Sequence, residues 1–200
     1  MIHTITSYFI REEDMLQRLK AMILEEAFKV SDKPTFKLAS GKLSRYYVNC
    51  RIVTLNPEGM VLIGNLIVEK IGDRAVNAIG GPSLGANPIA DAVSMISYQK
   101  GKVIKPFYVR EKVKDHGVVK KIEGNILTGD RVIIVDDVIT TGKSTIRAIE
   151  CAQEEGLEVV KVIALVDREE GGREAIERYV ADCESLLTMS DLMENYPKHT

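Results

Sequence analysis

Apolar and polar positions follow two alternating patterns along this chain, and the changes of pattern mark the predicted elements. Short apolar runs of strand length alternate with stretches in which apolar residues recur every three or four positions, as on one helix face. The predicted strands cover residues 75–79, 105–110, 131–135 and 159–167. The predicted helices cover residues 58–71, 88–99, 143–155 and 173–178. This alternation predicts an α/β protein with a parallel sheet that helices cover on both faces.

The two ends of the chain show weaker patterns. Residues 14–29 have the apolar spacing of a helix. Residues 36–38 alternate in polarity, and a turn separates them from residues 46–48, so we expect a hairpin-like pair. Residues 111–124 are polar, rich in lysine and without periodicity, which predicts a loop. The last ordered segment is expected to begin at residue 186 and to end in a turn or helix at residues 191–195.

Composition limits the class of protein without identifying it. The 200 residues suit one domain, and the formal charge of −2 gives no general attraction to nucleic acid. The three cysteines, Cys50, Cys151 and Cys183, are scattered, which fits a reducing compartment. We see no secretory signal and no apolar run of the ~20 residues that cross a bilayer. We therefore expect a cytoplasmic protein that acts on neither membrane nor nucleic acid.

The most informative segment begins where the strand at residues 131–135 ends. Two carboxylates, Asp136 and Asp137, come first, and a turn of hydroxyl residues and glycine leads into a helix. Carboxylates accept hydrogen bonds from neighbouring sugar hydroxyls. The backbone N–H groups of the turn and the helix N-terminus suit a phosphate dianion. The segment thus predicts a site for a ribose 5-phosphate, with these further residues around the phosphate: Val138, Ile139, Thr140, Thr141, Gly142, Lys143 and Ser144.

A nucleotide-triphosphate loop is the obvious alternative for this segment, and one residue argues against it. Gly142, Lys143 and Ser144 match the end of such a loop, but Asp137 stands where the motif needs its first glycine. A carboxylate inside a triphosphate cradle would repel the ligand. We therefore reject an ordinary nucleotide triphosphatase.

The run from Val132 to Ser144 resembles the phosphoribosyl pyrophosphate signature of the type I phosphoribosyltransferases. Residues 36–49, 80–90, 108–124 and 167–173 resemble, in the same order, segments of the orotate phosphoribosyltransferases. The resemblance implies a doubly wound, mostly parallel sheet with a small hood subdomain. The whole chain then forms one domain, with the hood built from about residues 1–50 and 168–200 and the core from about 55–167.

The resemblance also implies an activity, which is transfer of the phosphoribosyl group of phosphoribosyl pyrophosphate to orotate. Lys114 and His116, with Asp137, are the expected catalytic residues. Arg110, Lys112, Lys114 and His116 join Asp136 and Asp137 in binding phosphoribosyl pyrophosphate, while Thr140 and Arg173 bind orotate. The expected cofactor is Mg²⁺, with no dedicated protein metal site. The expected assembly is a homodimer in which the loop cations enter the partner's site.

Three positions depart from the pattern of the family. Glu111 replaces a lysine usually assigned to pyrophosphate, Ala39 stands where some members carry a substrate lysine, and Gly85 stands where some carry a lysine that contacts pyrophosphate. These departures leave open a phosphoribosyltransferase for another nucleobase. A regulator that binds phosphoribosyl pyrophosphate without catalysis is the non-enzymatic alternative.

Overall fold

The computed structural model describes residues 11–37, 41, 43–110, 121–194 and 196. The helices are α1 (Glu12–Met22), α2 (Arg51–Thr54), α3 (Pro57–Ile71), α4 (Asn87–Gln99), α5 (Lys143–Glu154), α6 (Gly172–Glu177) and α7 (Met189–Glu194). The short N-terminal strands are β1 (Phe28–Val30), β2 (Phe36–Lys37), β3 (Leu43–Ser44) and β4 (Tyr46–Val48). The longer strands are β5 (Ala78–Pro82), β6 (Lys105–Val109), β8 (Arg131–Ile139), β9 (Glu158–Asp167) and β10 (Cys183–Thr188), with the short β7 (Ile122–Gly124) beside β6.

The central sheet has six strands in the order β10-β9-β8-β5-β6-β7, and only the β6–β7 pair is antiparallel. The chain moves from β5 to one side of the sheet and from β8 to the other. β5 and β8 are therefore adjacent strands whose connections diverge. Such a switch point leaves a crevice at the carboxyl ends of the strands, where ligands bind in open α/β sheets.

Both faces of the sheet are packed, as the uninterrupted apolar run of β8 predicts. Ile133 and Val135 lie in the core formed with α1, α3 and α4. Val132 and Ile134 lie in the opposite core, formed with α5 and α6. The prediction of a mostly parallel, doubly covered sheet is thus confirmed. None of the described helices is long and apolar enough to cross a membrane.

Several predicted boundaries were wrong. The helix expected over residues 14–29 ends at Met22, continues as one π-helical turn over Ile23–Ala27, and gives way to β1 at Phe28. β1 takes β4 as its antiparallel partner, so the expected hairpin of residues 36–38 with 46–48 does not form; β2 pairs with β3 instead. In this region pairing with distant residues overrides local pattern.

Other differences concern the central sheet. The strand expected at residues 75–79 lies at Ala78–Pro82, and β7 occupies the end of the expected loop 111–124. β8 continues through Ile139, because its pairing with β9 extends beyond the two carboxylates. β10 lies in the range expected for the hood, yet it pairs in parallel with β9 at the edge of the central sheet.

Candidate functional site

A cavity of about 400 Å³ opens at the switch point between β5 and β8. Its sheet side is formed by Pro82 at the end of β5 with residues 83–85 after it, by residues 136–138 of β8 and by Ser144 of α5. Residues 47–51, from β4 to the start of α2, form the opposite wall. We call this space the β5–β8 cavity. The Ser83–Leu84 peptide on its wall is cis.

Asp136 is buried and joins α5 to β8. Its carboxylate accepts hydrogen bonds from Thr145 Oγ1 at 2.7 Å, from Ser144 Oγ at 3.2 Å and from the backbone N–H of Asp137 at 3.0 Å. Burial, and then the neighbouring charge of Asp137, raises the pKa of the Asp136 carboxyl above its ordinary value. Two of the bonds of Asp136 thus go to the first turn of α5, and they fix the position of the predicted phosphate loop.

Asp137 presents its carboxylate to the cavity. One oxygen accepts a hydrogen bond from the backbone N–H of Val138 at 3.0 Å. Burial raises the pKa of Asp137, while the positive charge of Arg51 acts in the opposite direction. The backbone of Gly85 approaches so closely that a Cβ on this residue would overlap the Asp137 carboxylate. Of the two predicted acids, Asp137 is the one less enclosed by protein donors.

The turn at residues 140–142 follows β8 and leads into the first turn of α5. Gly142 has a φ of +76°, a left-handed conformation that favours glycine, and Lys143 begins α5. Gly172 at the start of α6 packs directly against this turn, because a Cβ there would overlap the carbonyl oxygen of Thr140. The turn therefore offers backbone N–H groups and the positive end of a 12-residue helix beside Val138 and Ser144, which line the cavity.

The structure places two arginines of the expected orotate segment in different settings. Arg173 is half-exposed, does not line the cavity, and donates from Nε to Glu177 Oε1 at 2.8 Å. Arg168 is 8% exposed, and its Nη2 donates to Ser44 Oγ at 3.2 Å. Arg168 therefore links the carboxyl end of β9 to the wall that carries β3 and β4.

Of the expected loop cations, Arg110 is the one that lies within the described residues. Arg110 pairs with Glu123 at 2.7 Å and does not line the β5–β8 cavity. Lys112, Lys114 and His116 lie outside the described residues, as do Ala39 and Glu111.

Two residues of this region were missed from the sequence. Arg51 lines the cavity opposite Asp137 and Gly85, and Asn49 and Cys50 separate it from the predicted strand 46–48. Arg168 stands directly after a buried strand, the position at which ligand-binding side chains are concentrated in such sheets. That position was the available signal for Arg168, whereas only the tertiary fold brings Arg51 to the cavity.

The donor set of the site restricts how a metal could be held. Across the parts of the chain that the structure describes, no three His, Cys, Asp or Glu side chains are grouped closely enough to enclose an ion. The carboxylate of Asp137 is open to the cavity. This arrangement suits an ion that takes most of its ligands from a phosphorylated substrate.

Comparisons with known proteins agree with this geometry. Residues 54–191 match the family model described as "Phosphoribosyl transferase domain". The orotate phosphoribosyltransferase of Aquifex aeolicus is 46% identical over 177 residues, which cover 88% of this chain and 97% of that protein. The orotate phosphoribosyltransferase of Synechocystis is 38% identical, covering 90% of this chain and 89% of that protein.

Solved structures give the same picture. The Mycobacterium tuberculosis orotate phosphoribosyltransferase in complex with 5-phospho-alpha-D-ribosyl 1-diphosphate superposes with a TM-score of 0.73 at 36% identity, covering 90% of this chain and 99% of that one. An adenine phosphoribosyltransferase from Thermoanaerobacter pseudethanolicus, at 20% identity and a TM-score of 0.60, shares the fold.

Proposed function

This chain belongs to the orotate phosphoribosyltransferase family, and we propose that the β5–β8 cavity is where it joins orotate to phosphoribosyl pyrophosphate. The reaction is a pentosyl transfer of pyrimidine biosynthesis. The base nitrogen of orotate forms a bond to the anomeric carbon as the bond to pyrophosphate breaks, which yields orotidine 5-phosphate and pyrophosphate.

The assignment of the site rests on one observation. Asp137 and the turn at residues 140–142 both lie at the same switch point of the sheet. Asp137 provides acceptors for the ribose hydroxyls, and the turn with the α5 N-terminus provides donors for the 5-phosphate. The two groups lie in sequence along one strand and helix start. A sugar phosphate is the ligand that meets both at once.

We assign different roles to the two acids. Asp137 holds the ribose hydroxyls, since its carboxylate faces the cavity. Asp136 keeps the 5-phosphate loop in place through Ser144 and Thr145. Lys114 and His116, with Arg110 and Lys112, remain the proposed cations that stabilise the departing pyrophosphate.

We propose Mg²⁺ as the cofactor, and Asp137 as the residue that would hold it together with substrate oxygens. The open Asp137 carboxylate fits this use, because Mg²⁺ is commonly bound through one or two carboxylates plus substrate phosphates. When bound, the ion neutralises charge on the pyrophosphate and orients it.

The base carboxylate needs a cation, and two arginines are candidates. The sequence proposal was Arg173, which is half-exposed and pairs with Glu177. Arg168 is the second candidate, because it is buried beside β3 and β4, although its Nε pairs with Glu170 at 3.0 Å. A lysine at the binding position keeps the charge but loses the planar two-point contact, so we expect KM for orotate to rise about tenfold. Arg168→Lys should show this rise without an equal rise in KM for phosphoribosyl pyrophosphate. If Arg173→Lys alone shows it, the sequence proposal is right and Arg168 has a packing role.

We also propose that the working unit is a homodimer in the cytoplasm. An apolar groove of about 380 Å³ on α3 and α4, with Val61 and Met95 more than half exposed, supports a second copy as partner. The three unpaired cysteines, all buried, support a reducing compartment. A Lys114→Ala chain mixed with an Asp137→Asn chain should regain about a quarter of wild-type activity if sites are shared, because half the dimers carry one intact site. No recovery after confirmed subunit exchange would refute shared sites.

The activity itself is tested by the loss of orotate absorbance with phosphoribosyl pyrophosphate and Mg²⁺. Hypoxanthine, xanthine and uracil serve as competing acceptors, and orotate should be used in preference to all three. Asp137→Asn should abolish turnover while thermal unfolding stays close to that of the wild type. Faster transfer to a purine would refute orotate as the acceptor, and full activity of the variant would refute the assigned site.

A further inference from the structure

The lining of the β5–β8 cavity includes a charged residue, Arg51, to which no role has been assigned. The lining also includes two carboxylates, Asp136 and Asp137, and among the described lining residues only Arg51 is basic. Arg51 is exposed, and within the described ranges none of the ion pairs includes it. Its charge acts on Asp137 across the cavity. An arginine in this setting is available to an anionic ligand.

The wall opposite Arg51 explains why a cation is needed there. Residues 83–85, which follow β5, carry no basic side chain. In this fold no side chain fits at position 85 unless Asp137 moves, because a Cβ there would overlap its carboxylate. This wall therefore supplies no positive charge to an anion in the cavity.

The short helix that carries Arg51 is held firmly. The backbone N–H of Asn49, two positions before the helix, donates to Ala27 O at 2.9 Å and ties this segment to the end of the π turn. Val53 is buried, and its carbonyl lies so close to Gly59 that a Cβ on Gly59 would overlap it. These contacts fix α2 on α3, so the Arg51 side chain starts from a rigid backbone.

We infer that Arg51 binds the pyrophosphate group of the substrate and of the product, and that it supplies the positive charge that residues 83–85 lack. The inference rests on the proposed function of the cavity. Arg51 supplies a planar donor set that matches phosphate oxygens in two-point fashion. It belongs to the same subunit as Asp137, so it acts independently of the loop cations assigned to the partner.

The test compares Arg51→Ala and Arg51→Lys with Arg131→Ala. Arg131 is a matched control, because it loses the same charge at the opposite end of β8, where it pairs with Glu158. Calorimetry with pyrophosphate plus Mg²⁺, and separately with ribose 5-phosphate, measures the two halves of the ligand. Steady-state kinetics measure KM for phosphoribosyl pyrophosphate and for orotate.

We expect Arg51→Ala to weaken pyrophosphate binding and to raise KM for phosphoribosyl pyrophosphate by about 10- to 100-fold. Ribose 5-phosphate affinity and KM for orotate should stay at the values of the Arg131→Ala control, and Arg51→Lys should lie between. Pyrophosphate affinity equal to that of the control, or an equal loss of ribose 5-phosphate affinity, would overturn the inference. A wild-type protein that fails to convert orotate would instead overturn the proposed function.

Discussion

Gly172 makes the clearest single-residue test of the 5-phosphate loop. A Cβ at this position would overlap Thr140 O, and it would lie 2.5 Å from Ile139 Cγ2 and 2.9 Å from the backbone nitrogen of Gly142. Ordinary van der Waals contact begins at 3.4 Å, and two of these three neighbours are backbone atoms of the loop itself. A Gly172→Ala variant must therefore displace the loop or α6 by about 1 Å, since packed interiors hold little spare space.

A displacement of this size has a predictable cost. Misplacing a reacting group by about 1 Å can reduce turnover by about 100-fold. The loss should appear in kcat/KM for phosphoribosyl pyrophosphate and in ribose 5-phosphate affinity, because the loop is assigned to the 5-phosphate. Pyrophosphate affinity should change little, since Arg51, which is proposed to bind it, lies on the opposite wall of the cavity.

The assay needs a control for adding a methyl group to a glycine. Gly129→Ala is suitable, because a Cβ there meets nothing within 4 Å, although its φ of +88° adds some backbone strain. The control should retain wild-type kinetics with a modest loss of stability. If Gly172→Ala matched Gly129→Ala in kcat/KM, the loop would not depend on contact with Gly172, and the reasoning would be refuted.

Two further predictions concern buried charge and pH. The Lys161 side chain is 4% exposed, and its Nζ lies 2.7 Å from both Asp182 Oδ1 and Glu184 Oε1. The double variant Asp182→Asn with Glu184→Gln removes both negative charges and leaves a buried ammonium without a counter-charge. We expect its free energy of unfolding to fall by about 3 kcal/mol. Adding Lys161→Met should restore most of that loss in a urea titration, and a triple variant no more stable than the double variant would contradict the explanation. Burial, and then the hydrogen bond to Asp91 at 2.6 Å, raises the pKa of Tyr108 to about 12 from 10.0. The stability linked to its neutral hydroxyl is therefore complete below pH 10 and is lost as the pH rises through about 12, and a tyrosinate absorbance titration of wild type minus Tyr108→Phe should show this late step.

The sequence predicted the central sheet because the evidence for it is local. The residues of β8 and β9 are apolar on both faces, a pattern that few other structures produce. The same locality indicated that Asp136, Asp137 and the turn before α5 lie near the carboxyl end of a strand, although β8 continues through Ile139. The sequence did not indicate that the two acids differ in burial. This difference arises because Ser144 and Thr145 donate hydrogen bonds back to Asp136.

The wall opposite the sheet was harder to predict because its strands are short and pair over long distances. β4 takes β1 as its partner and leaves β2 to pair with β3, although the sequence predicts residues 36–38 and 46–48 as a pair. Arg51 and Arg168 acquire their positions from these pairings. Local patterns carry no information about which of several short strands will meet.

The link between Arg168 and Ser44 has a consequence for biosynthesis. The two residues are 124 positions apart, so the ribosome must add most of the chain before this contact can close. In a nascent chain stalled before β9, β3 and β4 would lack the hydrogen bond from Arg168. Measuring ligand binding by such stalled chains would thus show when the protein becomes able to bind its ligand. We expect that moment well after the first secondary structure has formed.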